Sequence, residues 1–133
     1  MLHNDSHKFE SGFISVVIPQ NNSVMFGPLS GSKLGIWIAH GEGKFLANDD
    51  CIAQLAQNGQ IATQYVDLNG NPTSDIRFNP NDSVFAIEGI TSPDGRVFGK
   101  MGHSERIGNG LYQNVPGDFE IGMFRSAVSY FKN

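Results

Sequence analysis

Two residues near the end of the chain could carry out acid–base chemistry together. His103 and Glu105 are two positions apart and follow a run of residues that predicts a strand. Alternate residues of an extended segment project to the same side, so the carboxylate can accept a hydrogen bond from one imidazole nitrogen. That bond fixes the tautomer and leaves the other nitrogen as a general base. His-x-Glu is therefore two-thirds of a catalytic triad, although the same spacing also suits a structural histidine.

The partner that this pair needs is a nucleophile, and the sequence offers one thiol. Cys51 is the single cysteine, so the chain cannot form an internal disulfide. It lies near a predicted helix start, which favours a thiolate, but Asp49 and Asp50 beside it oppose that charge. No Gly-x-Cys-x-Gly or Gly-x-Ser-x-Gly turn occurs to expose a nucleophile. We therefore predict that Cys51 packs as a small apolar side chain.

Metal and nucleotide sites are weaker interpretations of the same sequence. The four histidines could approach Glu42 or Glu105, yet their spacing matches no standard zinc pattern. A metal-dependent hydrolase using His40, His103 and Glu105 remains an alternative. The Gly-x-Gly pairs at residues 41–43 and 108–110 lack the third glycine of a dinucleotide loop. We therefore expect no metal and no cofactor bound to this chain.

Composition and charge narrow the class of protein. The chain has 133 residues, 17% of them charged, and a formal net charge of −4, which suits one folded domain. The basic residues are scattered, so we expect no nucleic-acid partner. No apolar run approaches the ~20 residues of a membrane span, and the first twenty residues contain no signal-peptide core. These features predict a soluble, cytoplasmic protein.

The elements that would position the pair are strands, turns and two helices. Strands are predicted at residues 13–19, 34–39 and 61–68, and the second is expected to be central and buried on both faces. Turn chemistry at residues 92–95, Ser-Pro-Asp-Gly, predicts a hairpin between residues 84–91 and 96–101. Residues 69–83 form a long turn-rich loop of the kind that is often functional.

Helices are predicted from residues 48–50 to Gly59 and over residues 119–132. Asn48, Asp49 and Asp50 offer N-caps and negative charge for the start of the first helix, which Gly59 would end. In the second helix an apolar stripe recurs at spacings of three and four, which predicts a face buried in the core. The stripe consists of Ile121, Phe124, Val128 and Phe131.

Six segments, in order along nearly the whole chain, resemble the glutaminase domain of phosphoribosylformylglycinamidine synthases, a family of class I glutamine amidotransferases. They are residues 4–10 (Asn-Asp-Ser-His-Lys-Phe-Glu), 39–45 (Ala-His-Gly-Glu-Gly-Lys-Phe), 64–67 (Gln-Tyr-Val-Asp), 78–83 (Phe-Asn-Pro-Asn-Asp-Ser), 92–96 (Ser-Pro-Asp-Gly-Arg) and 100–106 (Lys-Met-Gly-His-Ser-Glu-Arg). The resemblance implies an α/β fold, flavodoxin-like, with a parallel-rich sheet flanked by helices, an antiparallel hairpin and a C-terminal helix.

The resemblance also implies a chemistry. His103 and Glu105 match the His and Glu of a Cys-His-Glu triad that hydrolyses glutamine. The ammonia would pass to a separate synthase domain, which uses ATP and Mg²⁺ to convert formylglycinamide ribonucleotide to its amidine in purine biosynthesis. His40 and Glu42 would either line the glutamine pocket or shape their glycine-flanked loop. Glutamine and the synthase domain are therefore the partners that we expect.

Departures from the family pattern limit what this chain can do alone. The family nucleophile lies in a Gly-x-Cys-x-Gly elbow upstream of the segment that matches residues 4–10, and these 133 residues contain no such elbow. The expectation is a partial glutaminase domain spanning residues 1–133, inactive in isolation, whose unpaired sheet edge could form a homodimer. Gly102 and Ser104 replace prolines found in many members, which predicts a looser loop. A non-enzymatic ligand-binding or assembly module that kept the half-domain is the alternative.

Overall fold

The computed structural model describes residues 1–117, 119 and 122–132, which form one antiparallel sheet and two helices. The sheet has five strands in the order β2-β1-β3-β4-β5. In chain order the elements are β1 (Glu10–Val17), β2 (Lys33–His40), α1 (Asp49–Gln57), β3 (Ile61–Tyr65), β4 (Ile87–Thr91), β5 (Phe98–Lys100) and α2 (Met123–Lys132). Short 3-10 turns lie at Gly27–Leu29 and Val84–Ala86.

The predicted flavodoxin-like, parallel-rich fold is wrong for these residues, because every strand pair in the described sheet is antiparallel. The β2-α1-β3 order does return the chain in the same direction, as a parallel crossover would. However, β1 lies between β2 and β3 and runs opposite to both. The intervening strand thus turns both contacts into antiparallel ones, and helices do not alternate with neighbouring strands as they do in a parallel sheet.

The central strand is β3 rather than the predicted β2. All five residues of β3 are buried, while β2 lies at an edge of the sheet and buries only Ile36 and Ile38 among its eight residues. The near-continuous apolar run at residues 34–39 therefore follows the in–out alternation of a strand with one covered face. The main cluster of the core joins β1, β2 and β3 through Ile14, Val16, Ile36, Ile38 and Tyr65.

The hairpin and the first helix are confirmed. β4 and β5 pair antiparallel around the turn at residues 92–95, where Gly95 takes a positive φ of 72°. α1 begins after Asn48, whose side chain accepts a hydrogen bond from the backbone N–H of Cys51. Gly59, with φ 67°, follows its end. Among the described residues, no helix is long and apolar enough to cross a membrane.

The predicted buried face of the second helix is wrong. α2 begins at Met123, which packs with Ile18 and Phe26 and is the buried residue of the helix. Phe124 and Phe131 are 53% and 65% exposed, and Val128 is exposed as well. Ile121 lies outside the described residues. The helix is therefore held at its first turn and presents its apolar stripe to solvent.

The segment that follows β5 joins the two edges of the sheet. The N–H of Met101 donates to the carbonyl of Glu88 in β4, which prolongs the β4–β5 ladder by one bond. Two residues later, the N–H of His103 donates to the carbonyl of Trp37 in β2, at 2.8 Å. Because β2 and β5 are the two edges, the sheet must curl for one short segment to reach both. His103 lies at that seam.

Candidate functional site

His103 and Glu105 are in direct contact, as the sequence predicted. His103 Nδ1 lies 2.7 Å from Glu105 Oε1, and the two side chains are 30% and 59% exposed. The predicted strand does not extend as far as the pair, because β5 ends at Lys100 and residues 104–105 form a turn. The N–H of Arg106 donates to the carbonyl of His103, which folds the carboxylate back toward the ring. A turn, and not an extended strand, therefore brings the pair together.

The contact determines which imidazole nitrogen can act as a base. The hydrogen bond from His103 is the main cause that lowers the pKa of Glu105, so this group is an ionised acceptor at neutral pH. A carboxylate only accepts hydrogen bonds, so Nδ1 carries the proton. Nε2 then holds a lone pair and can accept a proton from a thiol or a water molecule. Such an arrangement can serve as a general base with its orienting carboxylate.

A buried ion pair that the sequence motifs did not indicate binds the residue directly before His103. The side chain of Glu88, fully buried, has Oε1 3.4 Å from Nζ of Lys100, which is 10% exposed. Glu88 accepts a hydrogen bond from the N–H of Gly102, and Lys100 donates to the carbonyl of Gly102 at 2.8 Å. The predicted looseness at Gly102 is therefore not what the structure shows. A charged residue inside the apolar run at residues 84–91 was the signal that could have revealed Glu88.

Aromatic side chains form a wall of the crevice that contains His103. Phe13 contacts Trp37 and Tyr112 edge-to-face, with ring centroids 5.2 and 4.7 Å apart. These rings line the same narrow crevice as His103, and the hydroxyl of Tyr112 donates to the carbonyl of Arg106. The wall packs apolar surface next to His103, and the Tyr112 hydrogen bond holds the segment that follows it. No motif in the sequence indicated this aromatic wall.

Cys51 is separate from this site. Its side chain is exposed on α1, and it does not line the crevice around His103. It is therefore not the packed apolar side chain that the sequence predicted. Nor do the described residues bring three or more His, Cys, Asp or Glu side chains into a group that could hold a metal ion.

His40 and Glu42 point in different directions from their shared loop. Glu42 is exposed and faces His3, with Oε1 3.6 Å from Nδ1. The ring of His40 covers Gly43, where a Cβ would lie 2.1 Å from the ring. Both ring nitrogens are buried and have no hydrogen-bond partner within the described part of the chain. Burial is the main cause that lowers the pKa of His40. The close fit of the His40 ring over Gly43 supports the interpretation that His40 shapes this loop.

Asn4 connects three of the segments that the sequence analysis singled out. Its side-chain N–H groups donate to the carbonyls of Lys8 and His40, both at 2.7 Å. Its carbonyl oxygen accepts from the N–H of Gly43 and from the Asn81 amide, both at 2.9 Å. Asn4 is 1% exposed. We call these five residues the Asn4 network, and all four hydrogen-bonding positions of the Asn4 amide are filled.

A cleft of about 600 Å³, larger than the crevice around His103, lies away from the His103–Glu105 pair. Its lining includes Lys44, Gln64, Phe85 and Ala86, and it contains neither His103 nor Glu105. Phe85 and Ala86 have positive φ values of 54° and 55°, which is uncommon for residues other than glycine. Size alone therefore does not identify the chemical site in this chain.

The chain is similar to known glutamine amidotransferases. A family model described as "CobB/CobQ-like glutamine amidotransferase domain" matches residues 1–131. A phosphoribosylformylglycinamidine synthase from Drosophila melanogaster is 43% identical over 124 residues, which cover 91% of this chain and 9% of that protein. A probable phosphoribosylformylglycinamidine synthase, chloroplastic/mitochondrial, from Arabidopsis thaliana is 41% identical over 106 residues, covering 79% and 8%. The chain thus spans less than a tenth of the length of these curated relatives.

A solved structure has a similar fold. The structure of PurLQS from Thermotoga maritima superposes with a TM-score of 0.70 at 26% sequence identity. The match covers 98% of this chain and 51% of the other. Almost every residue described here therefore has a counterpart in a chain about twice as long.

Proposed function

The chain belongs to the CobB/CobQ-like glutamine amidotransferase domain family, and on that premise we propose that His103 and Glu105 are the base and the orienting carboxylate of a glutaminase. The observation that carries the proposal is the 2.7 Å contact between His103 Nδ1 and Glu105 Oε1, which leaves Nε2 free. A Cys-His-Glu glutaminase needs a histidine with this tautomer beside its thiol.

The proposed reaction uses His103 twice. Nε2 first takes the proton of a cysteine thiol, and the thiolate attacks the carboxamide carbon of glutamine. The imidazolium then gives its proton to the departing ammonia, leaving a glutamyl thioester. Nε2 next takes a proton from water, whose attack on the thioester breaks the C–S bond and releases glutamate, and the imidazolium returns the proton to the departing thiolate. Glu105 stabilises the imidazolium that forms in each half-reaction.

We propose that the thiol comes from polypeptide beyond these 133 residues. Cys51 is the single cysteine, and it lies apart from the crevice around His103. Residues 1–133 would then be a partial glutaminase domain that lacks its nucleophile. Loss of a nucleophile costs on the order of 10⁶ in kcat in a serine protease. We therefore expect the isolated chain to release no measurable ammonia from glutamine.

The proposed destination of the ammonia follows from the relatives. Both curated relatives bear the name phosphoribosylformylglycinamidine synthase. We propose that this chain serves the same synthesis, in which ATP and Mg²⁺ bound to a synthase domain activate formylglycinamide ribonucleotide for attack by ammonia. That domain and glutamine would be the partners. A homodimer through a sheet edge remains a further prediction.

The experiment tests whether Cys51 or another cysteine is the nucleophile. In the complete amidotransferase that contains this chain, Cys51→Ser should leave ammonia release from glutamine unchanged. A glutamyl thioester trapped by acid quench should map by mass spectrometry to a cysteine outside residues 1–133. Ammonia release by the isolated 133-residue chain, or loss of the thioester in Cys51→Ser, would overturn the proposal.

A further inference from the structure

We propose that Glu88 and Lys100 are positioning residues that hold the peptide groups before His103, and so set where its imidazole lies. The inference rests on the proposed function, since it concerns the geometry of that base. Neither residue contacts the imidazole. Each binds Gly102, the residue that immediately precedes His103.

The two side chains bind both polar groups of Gly102. Glu88 Oε1 accepts the Gly102 N–H, and Lys100 Nζ donates to the Gly102 carbonyl at 2.8 Å. Oε1 of Glu88 also lies 3.4 Å from Lys100 Nζ. The carboxylate and the ammonium therefore neutralise each other while they fix the peptide groups on either side of one residue. We call this arrangement the Gly102 clamp.

The clamp is itself held in place. The other carboxylate oxygen of Glu88 accepts a hydrogen bond from the hydroxyl of Thr63 on the central strand, and Thr63 is buried. The carbonyl of Glu88 accepts the N–H of Met101 at 3.1 Å. Because hydrogen bonds restrain the carboxylate from several sides, it has little freedom to follow a displaced loop.

The space around Gly102 leaves no room for a side chain at this position. A Cβ at residue 102 would lie 2.2 Å from Cγ2 of Ile36 and 3.0 Å from Oε1 of Glu88. On the far side, the N–H of His103 is bonded to Trp37. The backbone from residue 101 to residue 103 is thus fixed by the β4 backbone, the clamp and β2 in succession.

Binding a peptide group with a buried ion pair costs free energy, so the positions of these two charges need a reason other than stability. Burying two charges carries a desolvation penalty, and apolar replacements of a buried pair are often neutral or stabilising. Stability therefore does not explain why charged side chains stand at these positions. Charged groups make stronger, better-aligned hydrogen bonds to a backbone than neutral ones do. Precise placement of a catalytic base is a function that needs such bonds.

The test is a double variant that removes both charges together. In the complete amidotransferase, Glu88→Leu with Lys100→Met leaves no unpaired buried charge, so its unfolding midpoint should lie above that of Glu88→Leu alone, which leaves the Lys100 ammonium unpaired. We expect kcat for glutamine hydrolysis to fall about 10- to 100-fold with KM within about twofold, because a base displaced by about 1 Å can cost 10² in rate. A crystal structure of the variant should show the backbone of residues 101–103 displaced.

Two matched variants identify the cause. Glu88→Gln with Lys100→Met keeps an acceptor for the Gly102 N–H and should recover most of kcat. Asp75→Asn with Arg77→Gln removes a different ion pair, whose atoms are 2.6 Å apart and whose side chains are 35% and 76% exposed. It should match the wild type in both kcat and the unfolding midpoint.

The outcomes distinguish this inference from the proposed function. If the wild type hydrolyses no glutamine, the proposed function fails, and the crystal structure still tests the clamp. A backbone at residues 101–103 that superposes on that of the wild type in the Leu/Met variant overturns the clamp. So does a wild-type kcat in that variant.

Discussion

The Asn4 network and the His103–Glu105 pair use the same interaction in opposite ways. Asn4 is 1% exposed, and all four hydrogen-bonding positions of its amide are filled by the protein. His103 is 30% exposed and bonds through Nδ1 to Glu105. A saturated buried amide stabilises three segments against one another. A histidine with one nitrogen occupied is oriented and still has a nitrogen with which to react.

This difference shows that residue types alone do not indicate whether a motif has a structural or a chemical role. Residues 39–45 contain a histidine and a glutamate between glycines, which looks chemical. In the structure that segment is bound by Asn4 through the His40 carbonyl and the Gly43 N–H. Changes in the Asn4 network should therefore alter local stability, and changes in the pair should alter chemistry.

The largest expected effect is the loss of the base. In the complete amidotransferase, His103→Gln should lower kcat for glutamine hydrolysis by about 10⁶, the cost measured for losing a triad histidine in a serine protease. Ammonia release reads the effect directly. Hydrogen exchange in the peptides that contain Asn4 and Gly43 should stay at the wild-type rate. A kcat within tenfold of wild type would show that another group acts as the base.

The second effect is the loss of the Asn4 amide. Asn4→Ala leaves two buried donors and two carbonyls without their partner, and an unsatisfied buried group costs ~1–3 kcal/mol. We expect exchange of the Gly43 amide to accelerate about 100-fold, which corresponds to about 2.7 kcal/mol of local opening free energy. Hydrogen exchange with mass spectrometry measures it.

A matched control is available for that change. Asn69 is exposed, so Asn69→Ala removes a similar amide without emptying a buried site. It should leave the Gly43 amide at its wild-type exchange rate. Equal rates in Asn4→Ala and Asn69→Ala would contradict a structural role for the Asn4 network.

Local patterns were the predictable part of the fold. The hairpin follows from residues 92–95, because Pro and Gly favour that turn whatever surrounds them. The first helix follows from the Asn48 cap, which acts within one turn. The contact between His103 and Glu105 was also predictable, since residues two apart are near each other in a turn as well as in a strand.

Long-range placement was not predictable in the same way. No local signal says that β1 inserts between β2 and β3, and that insertion makes the sheet antiparallel. The stripe of α2 has the spacing of a buried face, but periodicity does not say what covers it. Glu88 and Lys100 are twelve residues apart, and only the β4–β5 register brings them together over Gly102.

The smallest expected effect is the contribution of Glu105 to the stability of its turn. The pH dependence of that stability shows whether the ionised carboxylate stabilises the turn. The hydrogen bond to His103 lowers the pKa of Glu105 from its ordinary value near 4.5, so any stabilisation is present above that pH and is lost as pH falls through the lower folded value. The carboxylate is exposed, so Glu105→Gln at pH 7 should change exchange of the Arg106 amide by no more than about threefold, as for other exposed pairs.

The exchange rates of the Arg106 and Gly43 amides can also be compared as the pH is lowered. Below pH 4.5, the wild-type Arg106 amide, taken relative to its intrinsic rate, should lose protection and approach the Glu105→Gln variant, which has no carboxyl at this position to titrate. The Gly43 amide should show no such convergence, because Asn4 does not ionise. If the Arg106 amide of the wild type kept a constant advantage over Glu105→Gln from pH 7 to pH 3, the ionised carboxylate would not be what holds the turn. The contrast between the pair and the Asn4 network would then rest on exposure alone.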